Sequence, residues 1–171
     1  LKKIKEKIKN KKKIKIIINK KNIGAGKSRN KGIKIAKGKF LAFIDSDDVW
    51  KKSKIKEQIK FMQKNNYLIT HTSYNIVDKY NKIITTRKAV QKLTYKNLLN
   101  SCDIGLSTVM INRKKVKKIF FGSTRTKEDY SLWLTLSKQT AFYGLNKNLT
   151  NWKKLNNSLS SNSTQKIIDA F

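Results

Sequence analysis

Three of the ten acidic residues of this chain stand within four positions, in the stretch Asp45-Ser46-Asp47-Asp48. They follow the apolar run "KFLAFI", whose composition predicts a buried strand. Carboxylates crowded at the end of a strand repel one another, so the pattern favours a divalent cation that neutralises them. Mg²⁺ and Mn²⁺ prefer oxygen ligands and keep waters and substrate phosphates in their other positions. Asp45 and Asp47 are therefore candidate metal ligands; the alternative is a solvated turn in which Asp48 caps the next helix.

A second candidate element lies upstream, in "NIGAGKSRNKG" from Asn22 to Gly32. It combines flexible glycines with the cations Lys27 and Arg29 and with backbone N–H groups near a helix start. Such N–H groups bind phosphate because the helix dipole adds positive charge there. The spacing is not that of a P-loop. The alternative is a glycine-rich turn between a strand and a helix.

The elements that must position these residues follow from the periodicity of the apolar residues. Strands are predicted over 14–19, 39–44, 67–77, 106–111 and 141–146. Helices are predicted from the glycine-rich stretch to Gly38 and over 53–66, 94–101, 112–120 and 128–139, with the end of a basic helix over 1–10. Turn and loop are expected over 78–92, and a polar tail over 148–171. Apolar faces are predicted from Ile55, Ile59 and Met62 on one helix and from Leu132, Trp133 and Leu136 on another. Because strands alternate with helices, we expect one α/β domain over 1–171, a sandwich with a mostly parallel central sheet.

The composition is dominated by positive charge, with 41 Lys and Arg against 10 Asp and Glu and a formal net charge of +31. Such a surface attracts nucleic acid, anionic lipid and phosphorylated metabolites. The alternative is compositional drift, because Lys, Asn and Ile dominate the chain and Pro is absent. The single cysteine, Cys102, excludes a disulfide framework within the chain and fits a reducing compartment. The single histidine, His71, has no partners for a zinc site.

The longer motifs of the chain resemble the core of family 2 glycosyltransferases with the GT-A fold. The stretch "NIGAGKSRNKGIKIAKGKFLAFIDSDDVWKKSKIKEQIKFM" is similar to that family's N-x-G…R-N-x-G helix, strand, D-x-D-type motif, tryptophan and helix. Downstream, "LITHTSYNIVD", "LTYKNLL" and "GLSTVMINRKKV" resemble the middle section, and "TKEDYSLWLTL" resembles an E-D-Y-x-L-W motif. "NNSLSSN" resembles a closing segment of members that build bacterial cell-surface polysaccharides. The likeness covers nearly all of the chain from Ile14 onwards, in the family's order.

The resemblance implies a role for each matching residue. Asp45 and Asp47 would bind an Mn²⁺ or Mg²⁺ ion and the diphosphate of a nucleotide-sugar donor. Asp129 would be the general base that takes a proton from the acceptor hydroxyl, with Glu128 in support; the alternative is a carboxylate that complements its helix dipole. Trp133 would pack the helix that carries Asp129. The substrate-binding positions implied are Asn22, Gly24, Arg29, Asn30, Asp45, Ser46 and Asp48.

The implied function is transfer of a sugar from a nucleotide-diphosphate sugar to a saccharide or lipid-linked acceptor, with inversion and a divalent metal, in cell-surface polysaccharide synthesis. The implied location is the cytoplasm or the inner face of the cell membrane, where the basic surface would contact anionic lipid. No apolar run approaches the ~20 residues of a membrane-spanning helix, and the basic N-terminus lacks the apolar segment of a signal peptide.

The chain departs from the family pattern at its start. It begins with Leu, near the end of the helix that precedes the family's third strand, so we expect an N-terminally truncated domain without the first strands. Lys51 and Lys52 follow Trp50 where relatives often have Pro, and Asn151 and Trp152 stand where relatives carry a Tyr-Arg pair. Two alternatives therefore stay open: an inactive glycosyltransferase remnant, and a basic nucleic-acid-binding module, although no RNA- or DNA-binding motif is visible.

Overall fold

One mixed sheet organises the part of the chain that the computed structural model describes, residues 14–124 and 126–154. The helices are α1 (Ala25–Ile35), α2 (Lys54–Lys64), α3 (Tyr95–Asn100) and α4 (Glu128–Ser137), with a 3₁₀ turn at Leu106–Thr108. The strands are β1 (Phe40–Ala42), β2 (Val49–Trp50), β3 (Ile69–Val77), β4 (Ile83–Arg87), β5 (Lys92–Leu93), β6 (Met110–Asn112) and β7 (Phe142–Lys153). They lie in the order β1-β6-β3-β7-β2, with β4 beside β3 and β5 beside β7.

The centre of the sheet is the parallel pair β3 and β7, which runs from Ile69 opposite Phe142 to Val77 opposite Lys153 with a register shift on each side of Ser73. The first five residues of β3 are all buried, as expected for a strand covered on both faces. The other ladders between described strands are antiparallel, so the predicted α/β class is confirmed but the prediction of a mostly parallel sheet is wrong. The reason lies in the connections: β4 returns from β3 through a tight turn, and β6 enters from the opposite end.

The helix faces differ in how well the apolar pattern predicted them. In α4 the three predicted residues, Leu132, Trp133 and Leu136, are fully buried, and Trp133 packs edge-on against the ring of Phe142. These contacts confirm the predicted face, and the packing role of Trp133 agrees with them.

In α2 the predicted face is wrong in part, because Ile55 is 40% exposed while Lys54, Gln58 and Met62 are buried. The two polar residues, Lys54 and Gln58, can be buried because their side chains are hydrogen-bonded. Lys54 Nζ donates to Gln58 Oε1, and Gln58 Nε2 donates to the Thr70 and Thr108 carbonyls.

Several other boundaries differ from the prediction. Residues 14–19 form no strand, and their isoleucines are 40–52% exposed, since no described strand pairs with them. The helix predicted over 112–120 is absent: Asn112 ends β6, and residues 113–120 form a turn and irregular structure, in keeping with the like charges that crowd this segment. Strand β4 lies where loop was expected, and β7 extends to Lys153, past the predicted start of the tail. The predicted helix end over 1–10 and the remainder of the tail from 155 lie outside the described residues.

The strand predicted over 106–111 is wrong in part, because residues 106–108 form a 3₁₀ turn and the strand begins at Met110. Two helix ends agree with the prediction. Helix α1 follows Gly24, whose positive φ of 81° favours glycine, and ends before Gly38. Helix α3 begins with a capping box in which Thr94 and Asn97 each bond the other's backbone N–H. None of the helices in the described ranges is long and apolar enough to cross a membrane.

Candidate active site

The loop that follows β1 presents three carboxylates in three different environments. Asp45 and Asp47 are partly exposed, whereas Asp48 is buried. The Asp48 N–H donates to the Asp45 carbonyl at 3.1 Å, which closes the turn. The Asp48 Oδ1 accepts a hydrogen bond from the Lys153 N–H of β7 at 3.1 Å. The turn therefore faces Asp48 inwards as an anchor and leaves Asp45 and Asp47 outermost.

Burial also changes the chemistry of Asp48. It raises the pKa of the Asp48 carboxyl to about 6; the nearby Ser107 hydroxyl and the Lys153 N–H oppose the shift, while the charges of Asp45 and Asp47 add to it. The Oδ2 atom is buried without a hydrogen bond to any group in the described part of the chain. These features suit Asp48 to hold the loop rather than to bind a cation.

A single buried serine, Ser107 in the 3₁₀ turn, holds the loop in place. Its hydroxyl accepts a hydrogen bond from the Asp45 N–H at 3.0 Å. Its carbonyl accepts from Trp50 Nε1 at 2.7 Å and from the Thr150 hydroxyl at 3.3 Å. The ammonium of the buried Lys54 lies 4.6 Å from the centre of the Trp50 ring, a cation–π contact. Both ends of the carboxylate loop are therefore tied to one residue that the sequence analysis did not identify.

Arg29 joins this loop to the start of α4. Its Nη2 lies 2.6 Å from Asp45 Oδ1, and its Nη1 lies 2.6 Å from Glu128 Oε1. The three side chains are 19%, 36% and 13% exposed, so the bridge is only partly open to solvent. Phe121 lies under the guanidinium at 5.4 Å. Residues that are 16 and 99 positions apart from Arg29 are thus brought into one site.

The close approach of α1 to α4 depends on Gly26. A Cβ atom at this position would lie 3.2 Å from Phe121 Cβ and 3.3 Å from Glu128 Cγ. By contrast, a Cβ atom at Gly32, one and a half turns further along, would meet nothing within 4 Å. The glycine at 26 therefore keeps Arg29 within reach of Glu128.

Asp129 follows Glu128 in the first turn of α4 and is half-buried. Its Oδ1 accepts a hydrogen bond from the Tyr130 N–H at 2.8 Å. Burial raises the pKa of the Asp129 carboxyl to about 6, and the adjacent Glu128 charge adds to the shift, while Tyr130 N–H and Arg29 oppose it. At neutral pH this carboxylate is ionised and more basic than an ordinary aspartate.

Three further residues close the site between Asp48 and Asp129. Burial raises the pKa of the Tyr74 hydroxyl, and the charges of Asp103 and Asp48 add to it. Burial raises the pKa of the Cys102 thiol to about 11, and Asp129 and Asp103 contribute. Tyr74 also donates to the Asp103 carbonyl at 3.5 Å. Tyr74 is thus within electrostatic reach of Asp48 and Asp103, and Cys102 is within reach of Asp103 and Asp129.

Most acidic residues in the described part of the chain lie at this site. Eight acidic residues lie in the described ranges, and six of them belong to the site, since only Glu57 and Asp78 lie elsewhere. Asp103 was not predicted, although it is the sole acid between Asp78 and Glu128 in a chain of 41 cations, and that rarity is a signal.

The remaining predicted positions lie around α1 and the loop. Asn22 Oδ1 accepts from the Gly24 N–H at 2.9 Å and shapes the entry to α1. Asn30 exchanges two hydrogen bonds with the backbone of Phe121, at 2.8 and 2.9 Å, so its amide ties α1 to that segment. Ser46 is exposed at the tip of the loop. Substrate binding by these residues stays a prediction.

Asp45 and Asp47 are the residues of the carboxylate loop that could hold a metal, and few donors in the described part of the chain surround them. The described ranges contain no group of three or more His, Cys, Asp or Glu side chains arranged around one point. Asp45 and Asp47 stand two positions apart on a partly exposed turn, and none of the described residues donates a hydrogen bond to Asp47. Two carboxylates with open positions fit Mg²⁺ or Mn²⁺ bound together with substrate phosphates, and do not fit a closed protein cage.

Comparison with known proteins gives consistent matches. Residues 1–120 match the family model for glycosyl transferase family 2. The chain is 39% identical over 147 residues to TuaG of Bacillus subtilis, a provisionally named teichuronic acid biosynthesis glycosyltransferase, covering 82% of this chain and 57% of that protein. It is 39% identical over 133 residues to WfgD of Escherichia coli, named a UDP-Glc:alpha-D-GlcNAc-diphosphoundecaprenol beta-1,3-glucosyltransferase, covering 78% and 52%. The chain thus spans about half the length of the curated relatives it matches.

A solved structure shares the fold. Residues 1–349 of TarS from S. aureus, crystallised with UDP-GlcNAc, superpose with a TM-score of 0.71 at 22% identity, covering 94% of this chain and 48% of that one. This likeness concerns the fold alone, and it confirms the GT-A-like α/β architecture expected from the sequence resemblance.

Proposed function

The chain belongs to glycosyl transferase family 2, and from that premise we propose that it carries the donor site and the catalytic base of a sugar-transfer reaction. A sugar would pass from a nucleotide-diphosphate donor to a saccharide or lipid-linked acceptor, with inversion, in cell-surface polysaccharide synthesis. The relatives named for teichuronic acid synthesis and for a diphosphoundecaprenol acceptor support this substrate class.

The observation that carries the proposal is the Arg29 bridge between Asp45 and Glu128. A transfer reaction needs one charged region that holds the donor diphosphate and another that takes the acceptor proton. The bridge ties the carboxylate loop to the helix turn that contains Asp129. A solvated turn or a simple helix-dipole carboxylate would need no such link between distant segments.

On the donor side, Asp45 and Asp47 would hold a divalent cation that neutralises the charge of the leaving nucleoside diphosphate. Arg29 would orient the donor beside them, and Asp48 would keep the loop in shape from its buried position. Asn22, Gly24, Asn30 and Ser46 surround this side of the site. A uridine diphosphate sugar is the donor we favour, because WfgD is named for UDP-Glc and TarS was crystallised with UDP-GlcNAc.

On the acceptor side, Asp129 would remove the proton from the attacking hydroxyl, with Glu128 held in place by Arg29. A general base works best when its pKa lies near the working pH, and the raised pKa of Asp129, about 6, moves it in that direction. Inversion requires this base to act on the face of the sugar opposite the leaving group. The sugar carbon would pass through an oxocarbenium-like transition state, as in glycoside hydrolysis.

The proposal also covers the extent of the domain, its location and its partners. We propose one glycosyltransferase domain over 1–171, working in the cytoplasm or at the inner face of the membrane. Nucleic acid is not an expected specific partner, because the site gathers acidic residues where a phosphate backbone needs cations.

The test combines donor binding with turnover. Calorimetric titration of the chain with UDP should show binding that requires Mn²⁺ and is lost in Asp45→Ala. Hydrolysis of UDP-glucose should likewise require Mn²⁺, and its rate should rise with pH through about 6 as Asp129 ionises. UDP binding that is indifferent both to Mn²⁺ and to Asp45→Ala would contradict the proposed donor site. Binding without turnover would leave the inactive remnant as the better description of this chain.

A further inference from the structure

The hairpin of β3 and β4 is the most exposed apolar surface in the described part of the chain that lies outside the site. All residues from 79 to 88 are exposed. Among them Tyr80 is 76%, Ile83 57% and Ile84 54% exposed, and Val90 beyond the strand is 50% exposed. Ile83 pairs with Val77 and Thr85 with Ile76, so Ile84 is the extra residue of a bulge in β4. Within the described part of the chain, the turn and all five residues of β4 are thus left exposed, whereas β3 beside them is mostly buried.

The same segment is strongly basic. Four cations, Lys79, Lys82, Arg87 and Lys88, accompany the apolar side chains, and residues 79–88 contain no acid. The nearest acid, Asp78, uses Oδ1 to accept hydrogen bonds from the Tyr80 and Lys82 N–H groups, which shapes the turn. Lys79 lies over the Tyr80 ring at 4.8 Å. The charge of the hairpin is therefore uncompensated within the segment.

We propose that the β3–β4 hairpin is a membrane-contacting surface that binds bilayers containing anionic phospholipid. Apolar side chains enter the interface, cations pair with anionic headgroups, and tyrosine is enriched at the membrane–water boundary. A nucleic acid or an apolar protein groove would each match only one of the two features of this surface, its cations or its apolar side chains. Nucleic acid offers the anions but no apolar layer for two isoleucines, and an apolar protein groove offers no match for four cations.

The hairpin also leads to the site. Arg87 of β4 pairs with Tyr74 of β3, which borders Asp103. A bilayer contact at the hairpin would thus bring the Tyr74 and Asp103 side of the site towards the membrane. Binding to the bilayer is independent of the proposed function; only the purpose, access to a lipid-linked acceptor, rests on it.

Cosedimentation of the full chain with vesicles tests the proposal without any donor or turnover. The chain should bind vesicles of phosphatidylcholine mixed with phosphatidylglycerol and should bind phosphatidylcholine alone far more weakly. The triple variant Lys79→Gln, Lys82→Gln, Lys88→Gln should lower partitioning on the order of 100-fold, since each cation near an anionic surface contributes about fivefold. Ile83→Ser with Ile84→Ser should lower it by about tenfold.

Matched controls separate the hairpin from the overall charge of +31. Lys56→Gln, Lys60→Gln, Lys64→Gln removes the same charge from exposed positions on α2. Helix α2 contacts the start of β3 through Gln58 and Thr70, roughly 23 Å of strand from Val77. For the apolar pair, Ile35→Ser with Ile55→Ser changes two side chains that are each 40% exposed. The control variants should bind vesicles within about threefold of the parent chain.

Two results would overturn the proposal: equal losses in the hairpin and control variants, or failure of the parent chain to bind the anionic vesicles. Circular dichroism and thermal melting establish that each variant is folded, and exposed substitutions of this kind should leave the melting temperature almost unchanged. Because the assay contains no nucleotide sugar, its outcome is separate from the outcome of the donor-binding test.

Discussion

The carboxylate loop at 45–48 and the first turn of α4 supply acids to the same site, but they are held in different ways. The loop is fixed from outside, by Ser107, Trp50 and the backbone of β7. The helix turn carries its own support, since Asp129 bonds the N–H of Tyr130 in the same turn. Arg29 is the one ion-paired link between the two within the described ranges.

The difference suggests a division of work. Asp45 and Asp47 stand on a partly exposed turn, and Asp45 is ion-paired with Arg29. Asp129 is shielded, and its raised pKa makes it a better proton acceptor. A loop that binds a charged ligand gains from fixed backbone geometry, whereas a base gains from a controlled environment. Substitutions in the two regions should therefore affect different steps.

The largest effect is expected for Asp129→Asn. The amide keeps the shape and the hydrogen bond from Tyr130 but cannot accept a proton, so kcat should fall by about 10²- to 10⁴-fold. The affinity for UDP with Mn²⁺, measured by calorimetry, should stay within a few-fold of the parent chain. Turnover in an assay with nucleotide sugar distinguishes the two steps. If donor binding and kcat fell together, the assignment of Asp129 to the chemical step alone would be wrong.

The next largest effect is expected for Arg29→Met, which leaves Asp45 and Glu128 facing each other without a cation. Partly buried charge-assisted hydrogen bonds contribute on the order of 1–3 kcal/mol, so the free energy of unfolding should fall by about that amount. Affinity for UDP with Mn²⁺ should fall by roughly 10- to 100-fold.

Two variants sharpen this prediction. Arg29→Lys should give an intermediate result, because an ammonium group cannot reproduce the two-pronged geometry of a guanidinium. Lys31→Met, on the same helix and exposed, should change neither quantity. Urea denaturation and calorimetry provide both measurements, and an Arg29→Met chain as stable as the parent would mean that the bridge does not join the two regions energetically.

A smaller effect is expected for Ser107→Ala, which releases the Asp45 N–H. Loss of one buried hydrogen bond costs about 1 kcal/mol, so donor affinity should fall by roughly fivefold. Thr108→Val is the matched control, since the Thr108 hydroxyl is also buried but bonds the Gly105 carbonyl instead of the loop. Hydrogen exchange at the Asp45 amide should accelerate only in the serine variant. If donor affinity and hydrogen exchange changed equally in both variants, Ser107 would contribute to packing and not specifically to the position of the loop.

Features that depend on residues close together in the chain could be predicted from the sequence. Contacts between residues far apart in the chain could not. The apolar face of α4 and the helix predicted over 94–101 depend on neighbouring residues, and both predictions agree with the structure. The roles of Ser107 and Gly26 depend on contacts with residues 62 and roughly 100 positions away, which no local pattern records.

One of the misses, strand β4, had a physical signal in the sequence. The run Ile83-Ile84-Thr85-Thr86 consists entirely of β-branched residues, which favours a strand and could have revealed β4. The buried face of α2 could not have been found in this way. Lys54 and Gln58 are inside only because Thr70 and Thr108 supply hydrogen-bond partners, and polar residues without such partners belong at the surface.

The smallest effect, and the sharpest test of how the two regions are held together, compares two glycines on α1. Gly26→Ala would place a methyl group 3.2 Å from Phe121 Cβ and 3.3 Å from Glu128 Cγ, so α1 must shift away from α4. Gly32→Ala meets nothing within 4 Å, and alanine favours helix, so this variant should be about 0.5–1 kcal/mol more stable. The same helix preference acts at position 26, where the close contacts should cancel or outweigh it. Equilibrium unfolding of both variants gives the difference, and a shift of α1 should also weaken the pairing of Arg29 with Glu128. Equal stabilisation by both substitutions would mean that α1 has room to move, and that the Arg29 bridge does not depend on close helix packing.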